Sequence, residues 1–253
     1  QKTAYEIRLS LVGSEMCIRD SLYSHKSTLL HAWAGSSANG LGFTRSDSIL
    51  MVVPMFHVMG WGLPYIGAMN GIKLVLPGMG MDGAALVELI QKEQVTLAFG
   101  VPTIWLGLLN YCTEQKIKLD SVKQTVIGGS AVPYSMIKQF DEEHDVNVVQ
   151  GWGMTETSPT GTVLAAEDSV RKIGSAGKPA LHTSIKIVDK NFCQVKSNDI
   201  GELLIKGPNI TPGYWQNEDA TNSSFQEGWL KTGDLAKQDE EGFIYICLLY
   251  TSD

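Results

Sequence analysis

The chain has 253 residues, of which 43% are hydrophobic and 19% charged. This is a globular composition, long enough for one large domain or two small ones. The net charge of −7 disfavours a nucleic-acid partner, and no apolar run approaches the roughly 20 residues of a membrane-spanning helix. The four cysteines form no CxxC pair and the five histidines no HxxxH pair. We therefore expect a cytoplasmic protein without disulfides or a zinc site.

The two ends of the chain do not resemble the rest. Residues 1–22 show no clear periodicity, and charged residues interrupt every apolar run, which excludes a signal peptide. Residues 9–21 (LSLVGSEMCIRDS) and 247–253 (CLLYTSD) resemble translated sequencing-library adapters. We interpret 1–22 and 247–253 as non-native segments; ordinary divergent termini are the alternative.

Strands and helices alternate regularly from Tyr23 to Gln150. Apolar runs predict strands at 48–53, 73–76, 95–99, 122–127 and 146–150. Helical periodicity and capping residues predict helices at 28–38, 57–71, 82–94, 102–114 and 133–144. The helix at 57–71 is interrupted by glycines. This alternation predicts an α/β subdomain over residues 23–165, with a parallel sheet, right-handed βαβ units and flanking helices.

The pattern changes after Pro159. Residues 184–188 and 201–206 alternate between apolar and polar, as one-sided strands do. Residues 232–246 predict two strands joined by a turn at 239–242. We therefore predict a β-rich subdomain over 166–246, with its boundary somewhere near 160–175.

The most informative motif is the segment 150–159 (QGWGMTETSP), which follows a predicted buried strand. Gly151 and Gly153 allow a sharp turn that sets Thr155 and Glu156 side by side at the carboxyl end of the strand, where α/β sheets bind ligands. A hydroxyl and a carboxylate beside glycine-rich backbone suit a phosphate ester with its Mg²⁺. The alternative is a tight turn capped by Thr155.

Two other segments fit the same purpose. Residues 128–133 (GGSAVP) lie between a strand and a helix, where glycines let a flat ring approach the backbone and the helix N-terminus favours anions. Asp234, in the segment 231–234 (KTGD), can accept hydrogen bonds from two ribose hydroxyls. Both segments can also be ordinary turns, and Trp152 can stack on a purine or belong to the core.

Together these segments resemble the adenylate-forming superfamily of acyl-CoA synthetases, luciferases and adenylation domains of peptide synthetases. The resemblance extends over nearly all of residues 23–246, and its specificity comes from the order of many motifs. The matching segments are 23–27 (YSHKS), 53–58 (VPMFHV), 128–131 (GGSA), 150–159, 174–179 (GSAGKP), 201–207 (GELLIKG), 213–215 (GYW), 228–234 (GWLKTGD) and 242–246 (GFIYI).

The resemblance implies a role for each matching residue. Thr155 contacts the α-phosphate of ATP and then of AMP, Glu156 holds Mg²⁺, and Asp234 binds the ribose. The adenine side is formed by Gly129, Ser130, Ala131, Gly151, Trp152 and Gly153. The implied reaction is attack of a carboxylate on the α-phosphorus with loss of pyrophosphate, followed by transfer of the acyl group to the thiol of coenzyme A.

The resemblance also places an acyl pocket at His57, Val58, Trp61 and Gly128. Residues 55–62 contain no carboxylate to pair with the ammonium of an amino acid, and a buried, unpaired ammonium is costly. We therefore expect a largely apolar acid, such as a medium- or long-chain fatty acid. Trp61 matches the position of a gating tryptophan of long-chain members, and a packed aromatic is the alternative.

The family pattern breaks at both ends. A phosphate loop rich in Ser, Thr and Gly is expected before Tyr23, and a small domain with a catalytic lysine is expected after Ile246. Neither is present. We therefore expect an internal fragment of a large N-terminal domain, inactive alone, with a homodimer left open for the parent enzyme. A carrier-protein-loading adenylation domain and a non-catalytic nucleotide-binding relative are the alternative functions.

Overall fold

The computed structural model describes residues 21–37 and 41–247. The interpretations of 1–20 and 248–253 thus lie outside the described residues, whereas Ser21 and Leu22 form a bridge and a hydrogen bond with the chain at 213–214. No helix in the described ranges is long and apolar enough to cross a membrane. The described helices are α1 His25–Ser36, α2 Val58–Trp61, α3 Leu63–Asn70, α4 Gly83–Glu93, α5 Pro102–Gln115, α6 Tyr134–His144, α7 Ala166–Ser169 and α8 Glu218–Ser224.

A seven-stranded sheet forms the centre of the first part of the chain, with strand order β2-β1-β3-β4-β5-β6-β7. The first five strands pair in parallel, as the sequence predicted, with helices between them. The strands are β1 Ser48–Met51, β2 Lys73–Val75, β3 Leu97–Gly100, β4 Gln124–Gly128, β5 Asn147–Gly153, β6 Thr160–Leu164 and β7 Lys178–Pro179.

The predicted parallel sheet is confirmed for β1 to β5, and β6 and β7 extend it in antiparallel pairing. The sequence gives little signal for either strand: β6 contains a glycine, and β7 has two residues. Since β7 lies beyond residue 165 and still belongs to the first sheet, the predicted subdomain boundary stays a prediction.

Both faces of the sheet are covered, which explains the continuous apolar runs of its strands. Successive residues of one strand point to opposite faces: Leu50 packs into the cluster beneath α4, α5 and α6, whereas Ile49 and Met51 pack into the cluster beneath α1 and α3. Trp105 and Phe140 are fully buried in the first cluster and meet edge to face.

Two helix predictions need correction in detail. The predicted helix at 57–71 is divided at Gly62: residues 58–62 have positive φ and form a left-handed turn, which includes α2, and the right-handed helix α3 follows. In α1, two large apolar residues that helical spacing places on one face are not buried: Leu29 and Trp33 lie at the surface, while Ser27 and Ala32 are buried. Apolar spacing alone could not distinguish the two faces of this helix.

The second sheet has five antiparallel strands, in the order β10-β11-β9-β8, with β12 paired to the far part of β11. They are β8 Ser184–Val188, β9 Gly201–Lys206, β10 Phe225–Gln226, β11 Trp229–Gln238 and β12 Ile244–Cys247. As predicted, β11 and β12 are joined by a turn, in which Asp239 accepts hydrogen bonds from the backbone of Glu241 and Phe243. The pairing of β11 with β9 shifts register between Lys231 and Leu235.

Candidate active site

A cavity of about 850 Å³ opens at the carboxyl ends of β4 and β5. Residues of β5 and of the turn that follows it form one wall, and the irregular part of β11 contributes Lys231, Thr232 and Asp234. The other end of the cavity extends between the sheet and helices α1 and α3, into the second apolar cluster. The cavity thus joins a polar end to an apolar end.

A close backbone contact requires the glycine at position 153, whereas a Cβ on Gly151 would lie at an ordinary 3.5 Å from the carbonyl oxygen of Thr162. A Cβ on Gly153 would lie 1.9 Å from the carbonyl oxygen of Pro159, where the chain folds back into β6. Gly128 at the end of β4 meets a side chain instead, since a Cβ there would lie 3.1 Å from Cη2 of Trp61. Any larger residue at either position would displace the wall of the cavity.

Thr155 and Glu156 begin a short 3₁₀ helix, Thr155–Thr157. The turn is capped by the hydroxyl of Thr157, which accepts a hydrogen bond from the backbone N–H of Met154; the proposed capping role of Thr155 was therefore wrong. Thr155 lines the cavity, and its hydroxyl makes no hydrogen bond to any residue that the structure describes. It is available to a ligand.

Glu156 is anchored from the second half of the chain. Its Oε1 accepts a hydrogen bond of 2.7 Å from the Tyr214 hydroxyl, and its backbone carbonyl accepts one of 2.8 Å from the N–H of Thr211. The hydroxyl of Tyr23 donates to the Thr155 carbonyl, and burial, followed by the charge of Glu156, raises the pKa of Tyr23. These contacts fix the Thr155–Glu156 pair while leaving Oε2 of the carboxylate for a ligand.

Trp152 and Asp234 contact each other directly. The indole Nε1 donates a hydrogen bond of 3.0 Å to Oδ2 of Asp234. Burial raises the pKa of the Asp234 carboxyl, and the Trp152 hydrogen bond opposes that rise because it favours the charged form. The pair places a carboxylate beside an aromatic ring, which suits a nucleoside.

The cavity brings together most of the residues singled out in the sequence. Those that line it are His57, Val58, Trp61, Gly128, Gly129, Gly151, Trp152, Gly153, Thr155, Glu156 and Asp234. Ser130 and Ala131 do not line it; they are exposed in the loop before α6. An adenine role for these two residues stays a prediction.

The sequence did not indicate every residue of the site. His31 and Tyr214 line the cavity, and neither carries a recognisable local signal, although Tyr214 lies in the quoted segment 213–215. Two buried amide atoms of lining residues, Nε2 of Gln150 and Oδ1 of Asn209, have no hydrogen-bond partner within the described structure. Such atoms call for a ligand or water partner.

The site fits a magnesium ion that is shared with substrate phosphates. Among residues 21–37 and 41–247, no group of three or more His, Cys, Asp or Glu side chains is arranged to hold a metal ion. Magnesium needs no such cage, since one carboxylate, waters and phosphate oxygens suffice. Glu156 offers that carboxylate in the cavity.

Comparison with known proteins agrees with this geometry. The model of the family described as AMP-binding enzyme matches residues 22–215. A 3-methylmercaptopropionyl-CoA ligase from Ruegeria lacuscaerulensis is 41% identical over 236 residues, covering 89% of this chain and 43% of the relative. A medium-chain-fatty-acid–CoA ligase from Ectopseudomonas oleovorans is 40% identical, with 89% of this chain and 43% of the relative covered.

The fold matches a solved enzyme of the same kind. The O-succinylbenzoate coenzyme A synthetase from Bacillus subtilis, in complex with AMP, superimposes with a TM-score of 0.81 at 32% identity, covering 90% of this chain and 46% of that chain. The same synthetase has been solved with ATP and magnesium ion, with a TM-score of 0.80 at 30% identity, covering 92% of this chain and 49% of that one.

The parallel-dominated sheet, the antiparallel sheet beside it and the cavity between them define an adenylate-forming fold. The chain belongs to the AMP-binding enzyme family. It spans about 43% of the length of the curated relatives that it matches.

Proposed function

We propose that this chain forms the adenylate site of an AMP-forming acid–CoA ligase that acts on a largely apolar carboxylic acid. The observation that carries the proposal is the cavity, in which Thr155, Glu156 and Asp234 lie at one end and apolar side chains at the other. A nucleotide phosphate and a hydrocarbon chain are the two parts of an acyl-adenylate.

In the first step, a carboxylate oxygen of the acid attacks the α-phosphorus of ATP, and pyrophosphate leaves. The Thr155 hydroxyl donates to an α-phosphate oxygen, and Asp234 accepts hydrogen bonds from the ribose. Glu156, oriented by Tyr214, would hold Mg²⁺, which supplies neutralising charge to the phosphates when bound. These residues position the reactants and stabilise charge, and they form no covalent bond with them.

In the second step, the thiol sulfur of coenzyme A attacks the acyl carbonyl and loses its proton, while AMP leaves with the bonding electrons and its phosphate takes up a proton. The acyl carbon thus exchanges its bond to the phosphate oxygen for a bond to sulfur. The names of the curated relatives support coenzyme A as the acceptor, because both are CoA ligases.

The charges of the lining support an apolar acid. All five lining residues with carboxylate or ammonium groups lie at or beyond position 156, namely Glu156, Asp168, Lys178, Lys231 and Asp234. The lining residues up to position 155 carry no carboxylate or ammonium group, and the histidines among them are His31 and His57. An ammonium or a second carboxylate on the substrate would find no opposite charge among these residues. The 2-succinylbenzoate–CoA ligases among the relatives would place a second carboxylate in such a pocket, and that acid is disfavoured here.

The test is calorimetric titration of this chain with non-hydrolysable sulfamoyl analogues of acyl-adenylates. We expect the dodecanoyl analogue to bind and the phenylalanyl analogue, with its ammonium, to bind at least about tenfold more weakly. Thr155→Val should weaken dodecanoyl-analogue binding by about tenfold through the lost hydrogen bond to a charged group. Thr113→Val, on the exposed surface of α5, is the matched control.

Equal affinity for the two analogues would refute the apolar pocket. Preference for the phenylalanyl analogue would favour a carrier-protein-loading domain for amino acids. Binding of AMP but of neither analogue would favour a non-catalytic nucleotide-binding relative.

A further inference from the structure

The backbone between His57 and α3 is left-handed over five consecutive residues. The φ angles are 43° at Val58, 47° at Met59, 61° at Gly60, 49° at Trp61 and 72° at Gly62. Residues with a Cβ disfavour this conformation, and it normally occurs at single positions. A run of this kind persists only where neighbouring groups hold it.

His31 on α1 makes a side-chain hydrogen bond to the end of this turn. The Nε2 atom of His31 lies 3.1 Å from the carbonyl oxygen of Trp61, and because a carbonyl only accepts, Nε2 carries the proton and donates. Burial lowers the pKa of His31 to about 4, so the imidazole is neutral at pH 7. One donor on α1 thus fixes the end of the left-handed turn.

Gly62 makes this contact sterically feasible. A Cβ at position 62 would lie 2.3 Å from both Nε2 and Cδ2 of the His31 ring. The absence of a side chain at Gly62 therefore lets the imidazole reach the turn. Gly62 also has a positive φ of 72°, which glycine adopts without strain.

The other side of Trp61 faces the sheet. Its Cη2 would lie 3.1 Å from a Cβ on Gly128, and Trp61, His31 and Gly128 all line the cavity. The indole is partly buried and packs against the apolar cluster beneath α1 and α3. It therefore forms the wall where the apolar part of the cavity meets the carboxyl end of β4.

We propose that His31 is a positioning residue, which sets the place of the Trp61 indole through the left-handed turn 58–62 and thereby determines the acyl chain lengths that the cavity accepts. The selectivity half of the proposal rests on the proposed function, whereas the coupling between His31 and Trp61 does not. Loss of the donor, or displacement of its ring, frees the turn to relax towards ordinary backbone angles and lets the indole leave Gly128.

Two variants remove the contact by different routes, and two others serve as controls. His31→Leu keeps an apolar side chain but removes the donor, and Gly62→Ala keeps the donor but displaces the ring. His31→Gln keeps an N–H that can reach the Trp61 carbonyl. Gly71→Ala matches the backbone change of Gly62→Ala, because Gly71 has φ 65° but nothing within 4 Å of its Cβ position.

The first measurement is ¹⁹F NMR of the chain labelled with 5-fluorotryptophan, with the Trp61 signal assigned through Trp61→Phe. We expect the Trp61 resonance to shift or broaden in H31L and G62A and to keep its wild-type position in H31Q and G71A. The second measurement is the affinity ratio of dodecanoyl to butanoyl sulfamoyl-adenosine. We expect it to change by about fivefold in H31L and G62A, as loss of one buried hydrogen bond would produce, and by less than about twofold in both controls.

The outcomes separate the two halves of the proposal. An unchanged Trp61 resonance in both H31L and G62A would overturn the positioning role. A shifted resonance with an unchanged affinity ratio would overturn the selectivity role alone. If neither analogue binds the wild-type chain, the proposed function fails together with the selectivity, while the fluorine spectra still decide the coupling of His31 to Trp61.

Discussion

The indole of Trp152 affects the pKa of the Asp234 carboxyl. The indole N–H stabilises the charged carboxylate, while burial destabilises it and raises its pKa. A ribose needs the charged form as a hydrogen-bond acceptor. Trp152 therefore contributes more than an aromatic face to a nucleotide: it preserves the charge of the residue next to it.

This coupling predicts an altered pH dependence for Trp152→Phe. Without the indole N–H, the pKa of Asp234 rises further, because the group that favoured its charged form is gone. We expect AMP affinity to decrease more steeply between pH 7.5 and 5.5 in W152F than in wild type. Calorimetric titration at several pH values measures this. Trp229→Phe, whose indole does not line the cavity, should follow the wild-type profile, and parallel profiles for all three proteins would contradict the coupling.

Tyr214 should matter for the metal more than for the nucleotide. Its hydroxyl donates to Glu156 Oε1, and removal of a group that orients a metal ligand commonly lowers metal affinity by about tenfold or more. For Tyr214→Phe we expect about tenfold weaker Mg²⁺-dependent ATP binding, with AMP binding in the absence of Mg²⁺ changed by less than about twofold.

The matched control for this substitution is Tyr245→Phe, because the Tyr245 hydroxyl bonds to Asp239 in the β11–β12 turn. Magnesium titrations followed by ATP binding distinguish the two variants. Equal losses with and without magnesium would assign Tyr214 a general structural role instead.

At the scale of elements, the chain-order alternation of strands and helices was sufficient to predict the parallel core. The central strands β1, β3 and β4 are apolar runs buried on both faces, so the sequence pattern and the structure agree there, whereas the edge strand β2 begins with the exposed Lys73. The left-handed turn at 58–62 could not be predicted, because Val58, Met59 and Trp61 disfavour it and a contact that stabilises it comes from His31, which is distant in sequence. Long-range contacts of this kind leave no local pattern.

The residues of the site also divide into those with a local sequence signal and those without one. Thr155, Glu156 and Asp234 lie in short motifs next to glycines, and the sequence indicated them. Tyr214 and His31 reach the cavity from a loop and from the middle of a helix, where tyrosine and histidine are ordinary residues. Only their contacts with residues distant in sequence distinguish these two side chains from ordinary ones: Tyr214 contacts Glu156, and His31 contacts Trp61.

The start of α4 is one local feature that the sequence predicted, and its energy can be measured. Asp82 accepts a hydrogen bond of 3.0 Å from the backbone N–H of Ala85, which satisfies one of the unpaired donors of the helix N-terminus. For Asp82→Ala we expect a loss of about 1 kcal/mol in the free energy of unfolding, measured by urea denaturation. Asp82→Asn retains a capping oxygen and should lose less than half of that. A loss of the same size in both variants would indicate that charge, and not the cap, is responsible.

At the scale of the whole molecule, the partly buried His31 and the buried His144 couple folding to pH. His31 lies between the turn at 58–62 and the cavity, and burial lowers its pKa to about 4. His144 ends α6, neither of its ring nitrogens has a hydrogen-bond partner within the described structure, and burial lowers its pKa as well. The folded protein therefore favours the neutral imidazole at both positions. His31 lies on α1 and His144 on α6, on opposite faces of the first sheet.

The sign of the effect follows from the unfolded chain, in which histidine has a pKa near 6.5. Below that pH the unfolded state binds more protons than the folded state, so the free energy of unfolding decreases as the pH falls towards 4. For His31 alone the loss at pH 5 is about 2 kcal/mol, because each pH unit below the unfolded pKa removes about 1.4 kcal/mol, and it is absent above about pH 7.5. We therefore expect the difference in the free energy of unfolding between pH 7.5 and pH 5, measured by urea denaturation, to be about 2 kcal/mol smaller in His31→Gln than in wild type. His25→Gln, whose side chain is exposed at the start of α1, should retain the wild-type difference, and identical differences in all three proteins would exclude His31 as the titrating group.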